Sequence, residues 1–423
     1  MRRTDQADHG PPTGHGPLRY APTLPGTGQP VPEGTARALA AAVHGPAEPV
    51  GGGPGLRDAA CGYWARRGLA VRPHQVAAAP GGAVLLLALA AALGGDVLVP
   101  RPCAAWWIPE ARLLGRTAYP VPTPAECGGV PDPYALLETV RRVRAEGGDP
   151  RLLVLAVADD PTGTVAPPEV LHEAVEAAAG AGLHIVSDET WRDTVHPGPD
   201  GPGPVLAPPA GMLPDGVTVL IDLAGALLPG AWPAAVARFP ATDRGAALHD
   251  LVLDVLAGTG AFLATPVAAA AAHALTEPAE ATARGSAVAR VHGVLAAAVH
   301  RELRRAGALA LPPRAGRQLY ADLGPLRAAL TARGVGDAQE LEDHLTGLLG
   351  TPVPGGHRFG DDLGALRVRL PTEPFLGATA PERAATLAAA EPLAEPPVRE
   401  ALTSFAAVLD GLLTDTRRRE PPR

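Results

Sequence analysis

The sequence contains no lysine and no asparagine, so its 36 basic residues are all arginine. Without a side-chain primary amine, the chain cannot carry out any reaction that needs a lysine Schiff base. Aromatic residues are scarce, at 4%. The three cysteines are far apart and form no CxxC pair, which argues against a disulfide framework or a cysteine-rich zinc site and favours a reducing compartment.

Long apolar runs are also missing. The longest, residues 83–93, is about half of what a membrane-spanning helix needs, and no apolar stretch follows the arginines at the start. The net charge of −8 argues against nucleic acid or an anionic membrane as a partner. No HxH or HExxH spacing occurs among the 13 histidines, so we expect no metal. We therefore expect a cytoplasmic protein.

The pattern of what is present divides the chain. Residues 1–32 are rich in proline and glycine without periodicity, which predicts a flexible arm. Residues 33–262 alternate short apolar strands with helices, which predicts an α/β large domain whose mostly parallel sheet is sandwiched by helices. A smaller α+β domain is predicted over 263–415, followed by a basic tail, 416–423.

Strands and helices can be placed from the periodicity of the apolar residues. In the large domain, strands are predicted near 76–79, 94–100, 118–121, 151–157, 183–188, 217–222 and 234–238. Helices are predicted near 36–44, 55–68, 83–93, 106–114, 134–146 and 168–181. The small domain is predicted to contain a long alanine-rich helical stretch to about 305, helices near 326–333, 338–349 and 397–413, and strands within 316–324 and at 365–370.

In parallel sheets a ligand binds at the carboxyl ends of the strands. Here those ends carry acidic groups, at Asp159 and Asp160, at Asp188 and Glu189, and at Asp222. The sequence therefore predicts a site at this edge with an excess of carboxylates.

The segment LLVLAVADDPTGTVAPPEVLHEAVEAAAGAGLHIVSDETWRD, residues 152–193, resembles the centre of the fold type I, pyridoxal-phosphate-dependent class I/II aminotransferases. In that family a strand ends in Asn-Pro-x-Gly, a helix crosses over, and the next strand ends in an aspartate. Other segments match in the family's order, and 353–360 and 365–370 resemble its C-terminal strands. The resemblance covers roughly residues 45–415 and implies the fold type I architecture, pyridoxal phosphate as cofactor and a homodimer.

The resemblance also implies roles for individual residues. Asp188 matches the aspartate that binds the pyridine nitrogen and keeps the ring protonated. Asp160 stands where the family has the asparagine beside the ring hydroxyl, and Trp191 where it commonly has a tyrosine. Gly82 and Ala83 open the helix whose N-terminus faces the phosphate.

The segment TVLIDLAGALLPGAWPAAVARFP, residues 218–240, resembles the family's lysine segment but departs from it at the decisive positions. Gly225 falls where the Schiff-base lysine would be, so no residue is predicted to be catalytic. Asp222 and Ala224 replace the serines, and Trp232 replaces the phosphate arginine. A carboxylate at 222 would repel a phosphate group.

Two further positions leave alternatives open. Ala104 stands in the place of the aromatic residue that stacks on the cofactor ring; Trp106 or Trp107 would have to cover the ring instead, unless both simply pack in the core. Arg367 and Arg369 are two apart on a strand and face the same side. One of them resembles the arginine that binds the substrate carboxylate, and the spacing leaves open which.

The leading interpretation is a degenerate member of the aminotransferase family, inactive in transamination because covalent pyridoxal phosphate is unavailable. The fold would be retained for binding a small carboxylate or a protein partner. The alternative is an active transaminase-superfamily enzyme that uses non-covalently bound pyridoxal or pyridoxamine phosphate on an amino or keto acid. A regulator with an added DNA-binding domain is disfavoured, because the N-terminal segment is too short for one.

Overall fold

The structure, a computed structural model, describes residues 31–198 and 203–417, with the side chains of the last helix described up to Leu412. Nearly all of the predicted flexible arm and all but the first two residues of the predicted basic tail lie outside the described residues. The alternation of strands and helices predicted for 33–262 is confirmed.

A seven-stranded sheet forms the centre of the large domain. Its strands in chain order are β1 (Val76–Ala79), β2 (Asp96–Arg101), β3 (Ala118–Pro122), β4 (Pro150–Ala156), β5 (His184–Asp188), β6 (Val217–Asp222) and β7 (Ala235–Arg238). Their order across the sheet is β1-β7-β6-β5-β4-β2-β3, and β7 runs antiparallel to both of its neighbours. The strands are almost wholly apolar because helices cover both faces of the sheet.

Nine helices accompany this sheet in the described part of the chain. They are α1 (Glu33–Ala41), α2 (Pro54–Ala65), α3 (Gly82–Leu93), α4 (Trp107–Leu113), α5 (Pro133–Ala145), α6 (Pro168–Gly180), α7 (Pro209–Met212), α8 (Asp243–Gly258) and α9 (Thr265–Leu275). One face of the sheet packs against α2, α5, α6 and α9, and the other against α3, α4 and α8. Several helices begin at proline, whose missing N–H costs nothing in the first turn.

The C-terminal part has its own apolar core. Its elements are α10 (Ala279–Arg305), β8 (Leu309–Ala310), β9 (Gln318–Asp322), α11 (Arg327–Thr331), α12 (Ala338–Leu349), β10 (Arg367–Pro371), α13 (Ala380–Ala388) and α14 (Pro396–Arg417). The strands form an antiparallel sheet in the order β10-β9-β8. This core starts at Val288 within α10, whereas α9 packs with α1 and α2. The predicted domain limits stay predictions.

The expectation of a strand over 353–360 is wrong. That segment contributes a single bridge, from Gly355 to Val368, and then turns into a short 3-10 helix, Gly356–Phe359. The turn closes at Gly360, whose φ of 82° suits glycine and would end a strand. Helices α8 and α13 were not predicted. Within the described ranges, none of the helices combines the length and apolar character needed to cross a bilayer.

Candidate functional site

The carboxyl ends of β4, β5 and β6 bring the predicted acidic residues to one edge of the sheet. Burial is the main reason why the pKa of Asp159 is raised to about 7 and that of Asp188 to about 6, with neighbouring carboxylates adding to both. Burial also raises the pKa of Asp222. The site therefore holds several carboxyl groups whose negative charge is disfavoured.

Asp188 is bound by a tryptophan of the chain itself. The indole Nε1 of Trp107 donates a hydrogen bond of 3.2 Å to Oδ2 of Asp188, and the backbone N–H of Thr190 donates to Oδ1 at 2.9 Å. Trp107 is 1% exposed and Asp188 6% exposed. Arg192, four residues further along the chain, pairs with Glu189 rather than with Asp188. Both carboxylate oxygens of Asp188 thus have donors from within the chain.

The N-terminus of α3 is likewise bound by a side chain of the chain itself. The N–H of Gly82 donates to Oδ2 of Asp222 at 2.9 Å, and the N–H of Ala224 donates to Oδ1 at 2.9 Å. A methyl group added at Gly82 would lie 3.0 Å from Cβ of Asp222 and 3.3 Å from the ring of Trp106. An anionic group therefore lies at the helix terminus, where helix dipoles favour negative charge.

The two candidate arginines are distinguished by their partners. Nε of Arg369 lies 2.8 Å from Oδ1 of Asp160, and both side chains are about 15% exposed. The contact is an ion pair rather than an aligned hydrogen bond, because neither atom has a hydrogen-bond partner. Arg367 instead binds Asp322 and Asp361, each at 3.0 Å. Arg369 is therefore the arginine that faces the strand ends.

The remaining predicted residues lie around this cluster. Trp191 is 9% exposed and packs with Ala158 and Ala315. Ala104 is buried among residues of the face that carries α3 and α4. Trp232 packs against the opposite face of the sheet, and its match to the family's phosphate-binding arginine stays a prediction. Ala83 follows Gly82 in the first turn of α3.

Gly225 lies in a tight turn after β6. Its φ is 86°, and its N–H donates to the carbonyl of Leu228 at 2.7 Å. Side chains other than glycine rarely adopt this backbone conformation. The local backbone is thus built for glycine at the position where the family resemblance places a lysine.

Trp107 is the site residue whose role the sequence did not resolve. The sequence left open whether Trp106 or Trp107 would cover a cofactor ring or whether both pack in the core; in the structure only the indole N–H of Trp107 is seen to donate to Asp188. Helical phase is the signal that separates them: Trp107 is the first residue of α4 and turns inward, while Trp106 is only half-buried. Among the residues that the structure describes, no group of three metal-ligating side chains occurs.

Comparison with known proteins gives one consistent family. Residues 38–214 match the family model described as aminotransferase class I and II. A probable aspartate/prephenate aminotransferase from Thermus aquaticus is 35% identical over 167 residues, which is 38% of this chain and 41% of the relative. The match thus spans about two fifths of that relative's length.

Solved structures extend the similarity to the fold of nearly the whole chain. Aspartate aminotransferase from Thermus thermophilus with maleate has a TM-score of 0.72 at 23% identity, covering 90% of both chains. An aminotransferase from Mycobacterium tuberculosis has a TM-score of 0.72 at 20% identity, covering 90% of this chain and 89% of its own. Residues 38–214 thus match the class I and II aminotransferases, and the chain as a whole has the fold type I architecture of these solved structures.

Proposed function

We propose that this chain is a degenerate aminotransferase that does not transaminate and whose fold serves to bind a small carboxylate or a protein partner. One observation carries the proposal: there is no lysine anywhere in the 423 residues, and glycine stands at the anchor position, 225. No other side chain supplies the primary amine that an imine with the cofactor aldehyde requires. The absence also rules out a shifted alignment as the explanation.

The contacts of Asp188 support the proposal. By resemblance, this carboxylate would accept a hydrogen bond from the protonated pyridine nitrogen of the cofactor. The indole N–H of Trp107 already makes that bond, and both groups are buried. A ring placed against Asp188 would have to displace a packed tryptophan, and truncating such a side chain costs about 3–5 kcal/mol.

The contacts of Asp222 and Asp160 support it as well. The Asp222 carboxylate is bonded to the helix N–H that would hold the phosphate, so a phosphate group would meet an anion there. Asp160 is paired with Arg369, the arginine that by resemblance would take a substrate carboxylate. The residues at these strand ends do not fit pyridoxal phosphate, and no reaction step through it is proposed.

The assembly and location that we propose come from the family and from the cysteines. Class I/II aminotransferases form sites at subunit boundaries, and on that ground we propose a homodimer. The three cysteines are free, and two of them are buried, which supports a reducing compartment such as the cytoplasm. Sedimentation velocity would test the dimer.

The experiment that tests the proposal measures half-transamination with homogeneous protein. The protein is mixed with pyridoxamine phosphate and a keto acid, or with pyridoxal phosphate and an amino acid, and the cofactor spectrum is followed. We expect no conversion and, after borohydride treatment, no pyridoxyl adduct on the chain by mass spectrometry. Steady conversion that persists through a second purification would overturn the proposal.

Equilibrium dialysis distinguishes the proposed function from the alternative, an enzyme that uses a non-covalently bound cofactor. Because Trp107 and Asp222 fill the two anchor points, we expect neither pyridoxal phosphate nor pyridoxamine phosphate to be retained. Saturable binding of either, lost in Asp188→Ala but not in Asp254→Ala on the exposed face of α8, would favour the alternative.

A further inference from the structure

A cavity of about 500 Å³ lies beside the Gly225 turn, and none of the strand-end residues Asp159, Asp160, Asp188 and Asp222 lines it. It is bounded by the turn itself, residues 225–230, by the first two turns of α10 and the residues that follow them, and by the residues just before β9. Its described lining includes none of the residues predicted to hold the cofactor. The volume falls within the ~300–1,000 Å³ typical of small-molecule sites.

Charges on the cavity wall are only partly balanced. Arg67 is paired with Asp193 at 2.9 Å and with Glu277 at 2.5 Å, so it is neutralised within the wall. For Arg284 and Arg317, by contrast, no ion pair within 4 Å is found among the described residues. Within residues 31–198 and 203–417, neither arginine therefore has an ion-pair partner within 4 Å, and only the longer-range charges of Glu280 and Glu373 act on them.

Arg317 is the more unusual of the two. It is 6% exposed, its Nε is buried without a partner, and its guanidinium makes no hydrogen bond to any part of the chain that the structure describes. The charge of Glu373 acts on it, but the two residues form no ion pair within 4 Å. Buried guanidinium groups are ordinarily paired and hydrogen-bonded. The Arg317 guanidinium therefore has hydrogen-bond donors available for an anion.

The backbone of Arg317 is held in place by its neighbours. The hydroxyl of Thr372 donates to the carbonyl of Arg317 at 2.8 Å, and Nδ1 of His292 lies 2.7 Å from the same hydroxyl. His292 is fully buried beside Arg317, and these two causes hold the pKa of the imidazole well below its usual range. The ring is therefore neutral and does not compete as a cation.

We infer that this cavity binds a small organic anion, a carboxylate carried on an apolar body, with Arg317 contacting the carboxylate. Half-buried Arg284 adds a second positive charge near the start of α10. Apolar side chains in the wall, among them Val195, Leu227, Leu228, Val288 and Ala289, suit the apolar body. Planar guanidinium groups bind carboxylates through two parallel hydrogen bonds.

Calorimetric titration of the full chain tests this inference with octanoate and its neutral analogue octanamide. We expect saturable octanoate binding and at least about tenfold weaker octanamide binding, the usual effect of losing one charge-assisted contact. R317Q should weaken octanoate binding by at least about tenfold and leave octanamide unchanged. R304Q, an exposed arginine on the same helix α10, is the matched control and should change neither.

A second variant keeps the test decisive if R317Q folds poorly. Gly285 lines the cavity, and a side chain added there meets nothing within 4 Å, so G285F should fill space and weaken both ligands. Absent octanoate binding up to about 10 mM, equal affinity for both ligands, or an unchanged affinity in R317Q that folds normally would overturn the inference. The cavity is a separate site, so a positive transamination assay would sink the proposed function and leave this result standing.

Discussion

The strand ends of the large sheet and the cavity beside the Gly225 turn differ in whether their polar groups have partners within the chain. Towards the strand ends, each group that a cofactor would bind already has a partner in the chain: Asp188 has Trp107, and the N-terminus of α3 has Asp222. Towards the cavity, Arg317 is as deeply buried and has no partner among the described residues. Hydrogen bonds within the chain therefore stabilise the strand-end region. In the cavity, the desolvation free energy of the Arg317 guanidinium is not offset by a partner, and a bound anion would offset it.

The largest expected effect tests the first region. W107A should lower the free energy of unfolding by about 3–5 kcal/mol, because it empties a fully buried volume and leaves Asp188 without its donor. W106A removes an equally large but half-buried ring with no hydrogen bond to Asp188, and should cost clearly less. Urea denaturation measures both. Equal losses would mean that the bond to Asp188 is not what distinguishes the two tryptophans.

The buried carboxyl group of Asp159 should produce a pH dependence. Its pKa is 3.8 in an ordinary setting and about 7 in the fold, so the folded state holds a proton that the unfolded state has lost between these values. The contribution of Asp159 to stability should therefore fall as pH rises from about 4 to about 7 and level off above. D159N, which cannot ionise, lacks this loss, so between pH 4 and pH 8 its stability relative to the wild type should rise by on the order of 4 kcal/mol.

The matched control for this pH effect is D254N, on the exposed face of α8. It should leave the pH profile of stability unchanged. A stability difference between D159N and the wild type that is the same at pH 4 and at pH 8 would contradict the assignment of the buried proton to Asp159.

Replacing one arginine by methionine in each region compares the strand ends and the cavity directly. R369M leaves Asp160 with a buried charge and no counter-ion, and should cost about 1–3 kcal/mol. R317M removes a desolvated cation that has no partner, so stability should stay within about 0.5 kcal/mol or rise by up to about 1 kcal/mol. Thermal unfolding measures the stability of both variants. A larger loss of stability for R317M than for R369M would show that the Arg317 guanidinium has stabilising partners in the wild type.

A modest effect on stability is expected from restoring the missing amine. G225K forces a lysine into a φ of 86°, which costs about 1–2 kcal/mol, and it does so beside anchor points that are already filled. We therefore expect a small drop in stability and no aldimine absorbance after addition of pyridoxal phosphate. A borohydride-stable adduct on the new lysine would show that the site still admits the cofactor.

The fold was largely predictable because its signals are local. Continuous apolar strands, glycines after helices and prolines at helix starts placed all seven strands of the large sheet to within about two residues. Helix α8 was missed because its apolar residues are interrupted by polar ones on an exposed face, and α13 because proline and alanine around it resemble a loop. The segment 353–360 was misjudged because its glycines permit a turn as easily as a strand.

The candidate site was predictable in its members and not in their contacts. The sequence identified Asp188, Asp160 and the arginine pair through the resemblance. It did not indicate that Trp107 would reach Asp188, nor that Asp222 would bind the N-terminus of α3. Such contacts depend on side-chain direction across separate elements, which spacing along the chain does not encode.

Under the proposed function, the bond between Trp107 and Asp188 would make the lost amine hard to restore. A descendant that regained only the lysine would find the ring position taken and the phosphate position negatively charged. One that replaced only Trp107 or only Asp222 would give up internal stability with no bound molecule to compensate. Each of these substitutions alone would lower stability without restoring the amine-dependent chemistry. A lysine at 225 and the replacement of Trp107 and Asp222 would therefore have to occur together.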